Sequence, residues 1–167
     1  LLAKYNKGTN EKMNDIIKIL SEEEWNKEFT GFYKSIHELC SHLFISDCSC
    51  LNRLRPIRDF KSLTDEYFNK KYDHEEVLFS SINEYLIKRT EMDNIIINFI
   101  NEITEADLTK VTKFVNYKYK GVTFEKRMDV VLIHMFNHDT HHRGMISLYL
   151  EMLGKENDYS GLYQSYG

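Results

Sequence analysis

A chain of 167 residues with 42% hydrophobic and 29% charged residues suits one globular domain spanning 1–167 with a sizeable core. A net charge of −4 argues against a basic surface for nucleic acid, and no apolar run approaches the roughly 20 residues of a membrane span, so neither partner is expected. Cys40, Cys48 and Cys50 are an odd set without a C-x-x-C, which argues against a disulfide framework and suits a reducing cytoplasm.

Leu2, Tyr5, Met13, Ile16, Ile17 and Leu20 recur at helical spacing over residues 2 to 20, with a gap around Gly8 to Asn10. Ser21-Glu-Glu-Glu24 reads as a capping box opening a short helical turn, and Phe29 to Tyr33 as a loop. A second box, Ser35-Ile-His-Glu38, opens a helix that runs to about Leu54 and is stopped by Pro56. Its apolar stripe is Ile36, Leu39, Cys40, Leu43, Phe44, Leu51 and Leu54. His37 and His42 flank that stripe on opposite sides, and the helical wheel does not choose between them; if anything it favours His37. Asp47 falls near the middle of the stripe, where a carboxylate needs a partner. It could orient a metal-bound imidazole or pair with a nearby arginine. Arg53, Arg55 and Arg58 follow in the next turn, either as a receptor for a substrate anion or simply solvated.

Lys61 to His74 is polar and reads as loop, with His74 exposed. Asp73-x-x-Glu76 and Ser81-x-x-Glu84 both offer starts for a third long helix carrying Ile82, Tyr85, Leu86, Arg89, Met92, Ile95, Ile96, Phe99 and Ile103. From Leu108 to Phe124 the β-formers Val111, Phe114, Val115, Tyr117, Tyr119 and Val122 surround Lys120-Gly121, which suggests a short hairpin or extended loop. A fourth long helix is expected from near Phe124 to Gly154, which supplies a left-handed cap. The Tyr-rich remainder, with Tyr159, Tyr163 and Tyr166, either packs over one end or frays. Four long helices with one β-like insertion make an all-α fold, a four-helix bundle.

The last helix holds the densest chemistry. His134, His138, His141 and His142 are four of the seven histidines. Residues four apart on a helix share a face, so His138 and His142 project together and can share one metal ion. The apolar stripe of Met128, Val131, Leu132, Met135, Ile146, Tyr149, Leu150 and Leu153 has His142 near its centre and His138 inside its edge. His134 lies just outside it, and His141 well off it. Two core imidazoles satisfied by hydrogen bonds are the alternative to a metal site.

The run from His134 to Gly154, with its H-x-x-x-H-R-G core, resembles the DinB family of metal-binding four-helix bundles. So does Ser35-Ile-His-Glu-Leu-Cys-Ser-His42-Leu-Phe-Ile-Ser-Asp47 with the following Leu51-Asn-Arg-Leu54. The resemblance covers nearly the whole chain. It implies a metal triad of His42, His138 and His142, which settles the choice between His37 and His42. It also implies a left-handed up-down-down-up helix connection, a homodimer, and zinc or nickel as the divalent ion. The family usually has Gln where this chain has Met145. Three imidazoles with an open position describe a site that activates water or a thiol. The implied activity is a metal-dependent hydrolase or thiol S-transferase acting on a small molecule, with a low-molecular-weight thiol as one option. A non-catalytic metal-binding stress-response protein is the alternative. Asp47 and Asp139 are weak candidates for a general base.

Overall fold

The computed structural model describes residues 1–64, 66–115, 121–159 and 161–162. Tyr117, Tyr119, Lys120, Tyr163 and Tyr166 lie outside the described residues. The described chain is mostly helical with one small two-stranded sheet.

Helix α1 (Leu2–Ile17) is continuous through the expected gap at Gly8 to Asn10. Its inward face there is polar: Asn6, Thr9, Asn10 and Met13 are buried at positions i, i+3, i+4 and i+7. An apolar periodicity could not reveal that face, because amides rather than methyls fill it. Ser21 caps the short α2 (Glu22–Asn26) with the reciprocal bonds of a capping box, Glu24 N–H to Ser21 Oγ at 3.1 Å and Ser21 N–H to the Glu24 carboxylate at 2.9 Å.

Helix α3 (Ile36–Leu54) starts at Ser35, whose hydroxyl accepts from Glu38 N–H. The Glu38 carboxylate reaches one residue further back, to Lys34 N–H at 2.7 Å. A 3-10 turn over Arg55–Ile57, holding Pro56, ends it. The long α4 (Ile82–Glu102) is capped by Ser81. The other proposed start, at Asp73, forms only a tight turn closed by Glu76 N–H to Asp73 O.

After a one-turn α5 (Glu105–Leu108), strands β1 (Val111–Val115) and β2 (Thr123–Arg127) pair antiparallel, with Val111 opposite Arg127 and Val115 opposite Thr123. Helix α6 (Met128–Met152) therefore begins at Met128 rather than near Phe124: Phe124 to Arg127 are spent on the strand. At its other end Gly154 has φ 74°, and Gly154 N–H and Lys155 N–H return to the carbonyls of Glu151 and Leu150. That is the left-handed closure glycine permits. Tyr159 is buried beyond it, donating to the Arg143 carbonyl at 3.1 Å.

Helix α3 packs on α6 and α4, and α1 packs on α4 and α6. Between them lies a core of Met13, Ile17, Ile36, Leu39, Leu51, Phe99, Met135 and Ile146. A charged seam runs through this core. Arg89 on α4 pairs with Asp47 on α3 at 2.6 Å and with Asp93 one turn along its own helix at 2.9 Å. Asn10 donates to Asp93 at 2.9 Å, and Arg143 on α6 donates to Asn6 and Asn10 on α1. Asp47 thus pairs with an arginine far away in sequence, not a local one, and does not orient an imidazole.

The arginine cluster also divides. Arg55 donates to the Phe68 carbonyl, and Arg58 joins Asp107 at 3.2 Å and Glu102 at 3.4 Å. Glu102 further accepts from Ser62 N–H and Oγ and from Lys61 N–H. Those bonds, Ser62's first, hold its carboxyl down at about 2. A folded-state value below the ordinary one of about 4.3 adds stability that is fully present above pH 4.3 and lost as pH falls toward 2. Glu102→Gln should therefore lower the urea midpoint at pH 7, and the gap to wild type should narrow between pH 4.3 and 2. A gap independent of pH would refute the role given to Glu102.

Candidate metal centre

Helices α3 and α6 bring one imidazole and two imidazoles to a common point. His42 Nε2 lies 3.2 Å from His138 Nε2, which lies 3.1 Å from His142 Nε2. One ligand nitrogen from each ring falls within 4.8 Å of the other two. Two nitrogens about 2.0–2.1 Å from one tetrahedral ion sit about 3.3 Å apart, so the observed spacing fits a shared ion.

Hydrogen bonding alone accounts poorly for this convergence. A neutral imidazole has one N–H and one lone pair, so three Nε2 atoms facing one another cannot all be satisfied. Among the described residues, buried His138 Nδ1 and His142 Nδ1 find no partner either. Hydrogen bonds to the protein therefore leave His138 and His142 only partly satisfied. Burial pushes His42 and His142 down to about 4, and burial plus the neighbouring imidazoles pushes His138 down to about 3. All three rings are therefore neutral near pH 7, the form that ligates a divalent ion.

Tyr33 fixes the His42 ring. Its hydroxyl lies 2.7 Å from His42 Nδ1, with the His74 carbonyl 3.4 Å from the same nitrogen. An imidazole that offers Nε2 to an ion carries its proton on Nδ1, and both oxygens stand ready to accept it. Burial, with Glu75 and Glu38 adding to it, pushes the Tyr33 phenol up to about 12, so its oxygen stays protonated and uncharged. Tyr33→Phe should weaken zinc binding about 10- to 100-fold, read by competition with a chromophoric chelator. A change under about twofold would show that Tyr33 does not hold the ring.

His37 is turned away from this point. It stacks on Trp25 at 5.0 Å between ring centres and pairs with Asn26 Oδ1 at 2.9 Å. His74, expected to be exposed, is half-buried because its loop folds back over α3 and supplies the carbonyl beside His42. Asp47 and Asp139 are buried in the seam behind the imidazoles, and neither lines the cleft in front of them.

That cleft encloses about 820 Å³. Beyond the triad its walls include Phe32, Tyr33, Cys50, Arg53, His134 and Met145. Tyr33 escaped the sequence reading because it sits in an irregular loop, where no periodicity marks a contact. Met145 faces the cleft, so the departure from Gln there changes the wall of the site.

No curated protein matches the chain. Solved structures that share its fold include two DinB-like proteins. A DinB-like protein from Bacillus cereus has 14% identity and a TM-score of 0.67, with 97% of this chain and 95% of that one covered. A DinB-like protein from Bacillus subtilis has 13% identity and a TM-score of 0.65, with 93% and 94% covered. The family model for DinB matches residues 1–162. A match over nearly the whole chain, on this fold, means that the chain belongs to the DinB family.

Proposed function

We propose that the protein is a metal-dependent enzyme in which His42, His138 and His142 hold a divalent ion, zinc or nickel, at the inner end of the cleft. The single observation carrying this is the convergence of three neutral imidazole nitrogens, 3.1 and 3.2 Å apart, in front of a cleft large enough for a small molecule. When bound, such an ion supplies Lewis acidity that eases deprotonation of a water or a thiol.

The chain's own groups complete the site. Tyr33 and the His74 carbonyl orient His42. Phe32 and Met145 give the cleft apolar walls that limit water. His134 and His141 line the same cleft, with ring centres 5.8 Å from His138 and 4.8 Å from His142, and can take a proton from a ligand there, whereas Asp47 and Asp139 do not line it. The reaction class is hydrolysis or transfer of a thiol to a small electrophile. The four long helices are read as the family's left-handed four-helix bundle, and the protein as a cytoplasmic homodimer.

Zinc- and nickel-loaded protein should turn over at least one member of a panel of esters, amides and thiol-plus-electrophile pairs, and His138→Ala should not. Metal-loaded protein that is inert across the panel would leave the non-catalytic metal-binding reading in its place.

A further inference from the structure

Of the three arginines at the C-terminal end of α3 and just beyond it, two are spent on the fold and one is not. Arg55 and Arg58 are taken by the Phe68 carbonyl and by Glu102 and Asp107. Arg53 makes no ion pair among the described residues. Its guanidinium lies over the Phe114 ring at 4.6 Å and approaches only the Cys50 sulfur, at 3.9 Å. It is half-buried and lines the same cleft as the triad.

Its position follows from helix geometry. His42, Ser46, Ser49 and Arg53 stand at i, i+4, i+7 and i+11 on α3, one continuous face, and all four line the cleft. Arg53 therefore begins about 16 Å from His42 along the helix axis. A long side chain on a helix leans back toward the N-terminus, so its charged end points toward the triad. The hairpin holds the residue at both levels: Phe114 of β1 supports the guanidinium, and Thr112 of β1 donates to the Arg53 backbone carbonyl. Between the two ends the walls include Cys50 and Phe32, and Glu75 is the only carboxylate among the lining residues.

A planar cation supported on an aromatic ring, facing a cleft and lacking an acidic partner among the described residues, is a receptor for an oxyanion. We propose that Arg53 receives a terminal carboxylate or phosphate of the ligand, whose middle lies between the α3 face and the Phe32 and Met145 walls of the cleft and whose other end reaches the three-imidazole site. This rests on the metal-centre reading above. It narrows the substrate class to elongated anionic small molecules, and makes Arg53 the residue that selects for the charge.

The probes are 6-mercaptohexanoate and 6-mercaptohexanol, which share a metal-seeking head and an alkyl chain and differ in terminal charge. Calorimetric titration into zinc-loaded protein should show the carboxylate binding roughly 10- to 100-fold more tightly, as a charge-assisted contact implies. Arg53→Gln should erase that preference and leave the alcohol's affinity unchanged, which also shows that the variant is folded. Arg53→Lys should keep part of the preference. A preference that survives Arg53→Gln, or zinc-loaded wild type that binds both probes equally, would overturn the proposal while leaving the metal centre standing. A protein that holds no zinc and binds neither probe would overturn both together. Phosphate that weakens the carboxylate but not the alcohol, only in the protein with Arg53, would show that the receptor accepts either oxyanion.

Discussion

Arg89→Met will lower the unfolding free energy by about 3–5 kcal/mol, a large share of the 5–15 typical of a domain. Arg89 is 2% exposed and joins Asp47 and Asp93, which are buried with it. The seam holds three carboxyls, Asp47, Asp93 and Asp139, against two guanidiniums, Arg89 and Arg143. Burial, and then the Asp47 charge, raises the Asp139 carboxyl well above the usual range. Burial pushes Asp93 up to about 6, with Arg89 opposing. Arg89 is thus the cation that Asp47 and Asp93 share. Removing Arg89 strands both carboxylates away from water, and no rearrangement of Asn10 can neutralise them. The variant should unfold at lower urea with its m-value unchanged. Adding Asp47→Leu to Arg89→Met should recover part of the loss, because an absent pair costs less than half a pair. A single variant less than about 1 kcal/mol below wild type would show that the seam does not hold the helices together.

His138→Ala has the second large effect, on the ion rather than on the fold. His138 is the ring that both other imidazoles touch, at 3.2 and 3.1 Å. Without it His42 and His142 keep two nitrogens on different helices, too few for a tight site. Wild type with free zinc about 1,000-fold above its Kd should gain about 4 kcal/mol by mass action. For a chain of this size that raises Tm by roughly 8–16 °C, and a chelator should reverse it. His138→Ala should show neither the rise nor the reversal. His37→Ala should retain both, since His37 serves the contact between α2 and α3. If His37→Ala loses the zinc-dependent rise and His42→Ala keeps it, the triad is misassigned.

What the sequence made legible was local. Capping residues Ser21, Ser35 and Ser81 mark real helix starts, because a cap depends on bonds three residues away. The four-residue spacing of His138 and His142 carries straight into adjacent rings for the same reason. Choosing His42 over His37 needed the family resemblance, since both sit beside the same stripe and only tertiary packing separates them. The misses are all nonlocal. Asp47 finds Arg89 across 42 residues, and Tyr33 finds His42 only because a loop folds over α3. Gly8 to Asn10 look like a gap in α1 until Arg143 arrives from the far end of the chain to bond Asn6 and Asn10. Phe124 looks like the start of a helix until β1 pairs with it.

X-ray absorption at the metal edge, on protein purified without a histidine tag, bears most directly on the shared ion. The account predicts about one divalent ion per chain, with three imidazole nitrogens at about 2.0–2.1 Å if it is zinc, and no stoichiometric ion in His138→Ala. A wild-type protein without bound metal, or an ion whose nearest neighbours are not imidazoles, would contradict it.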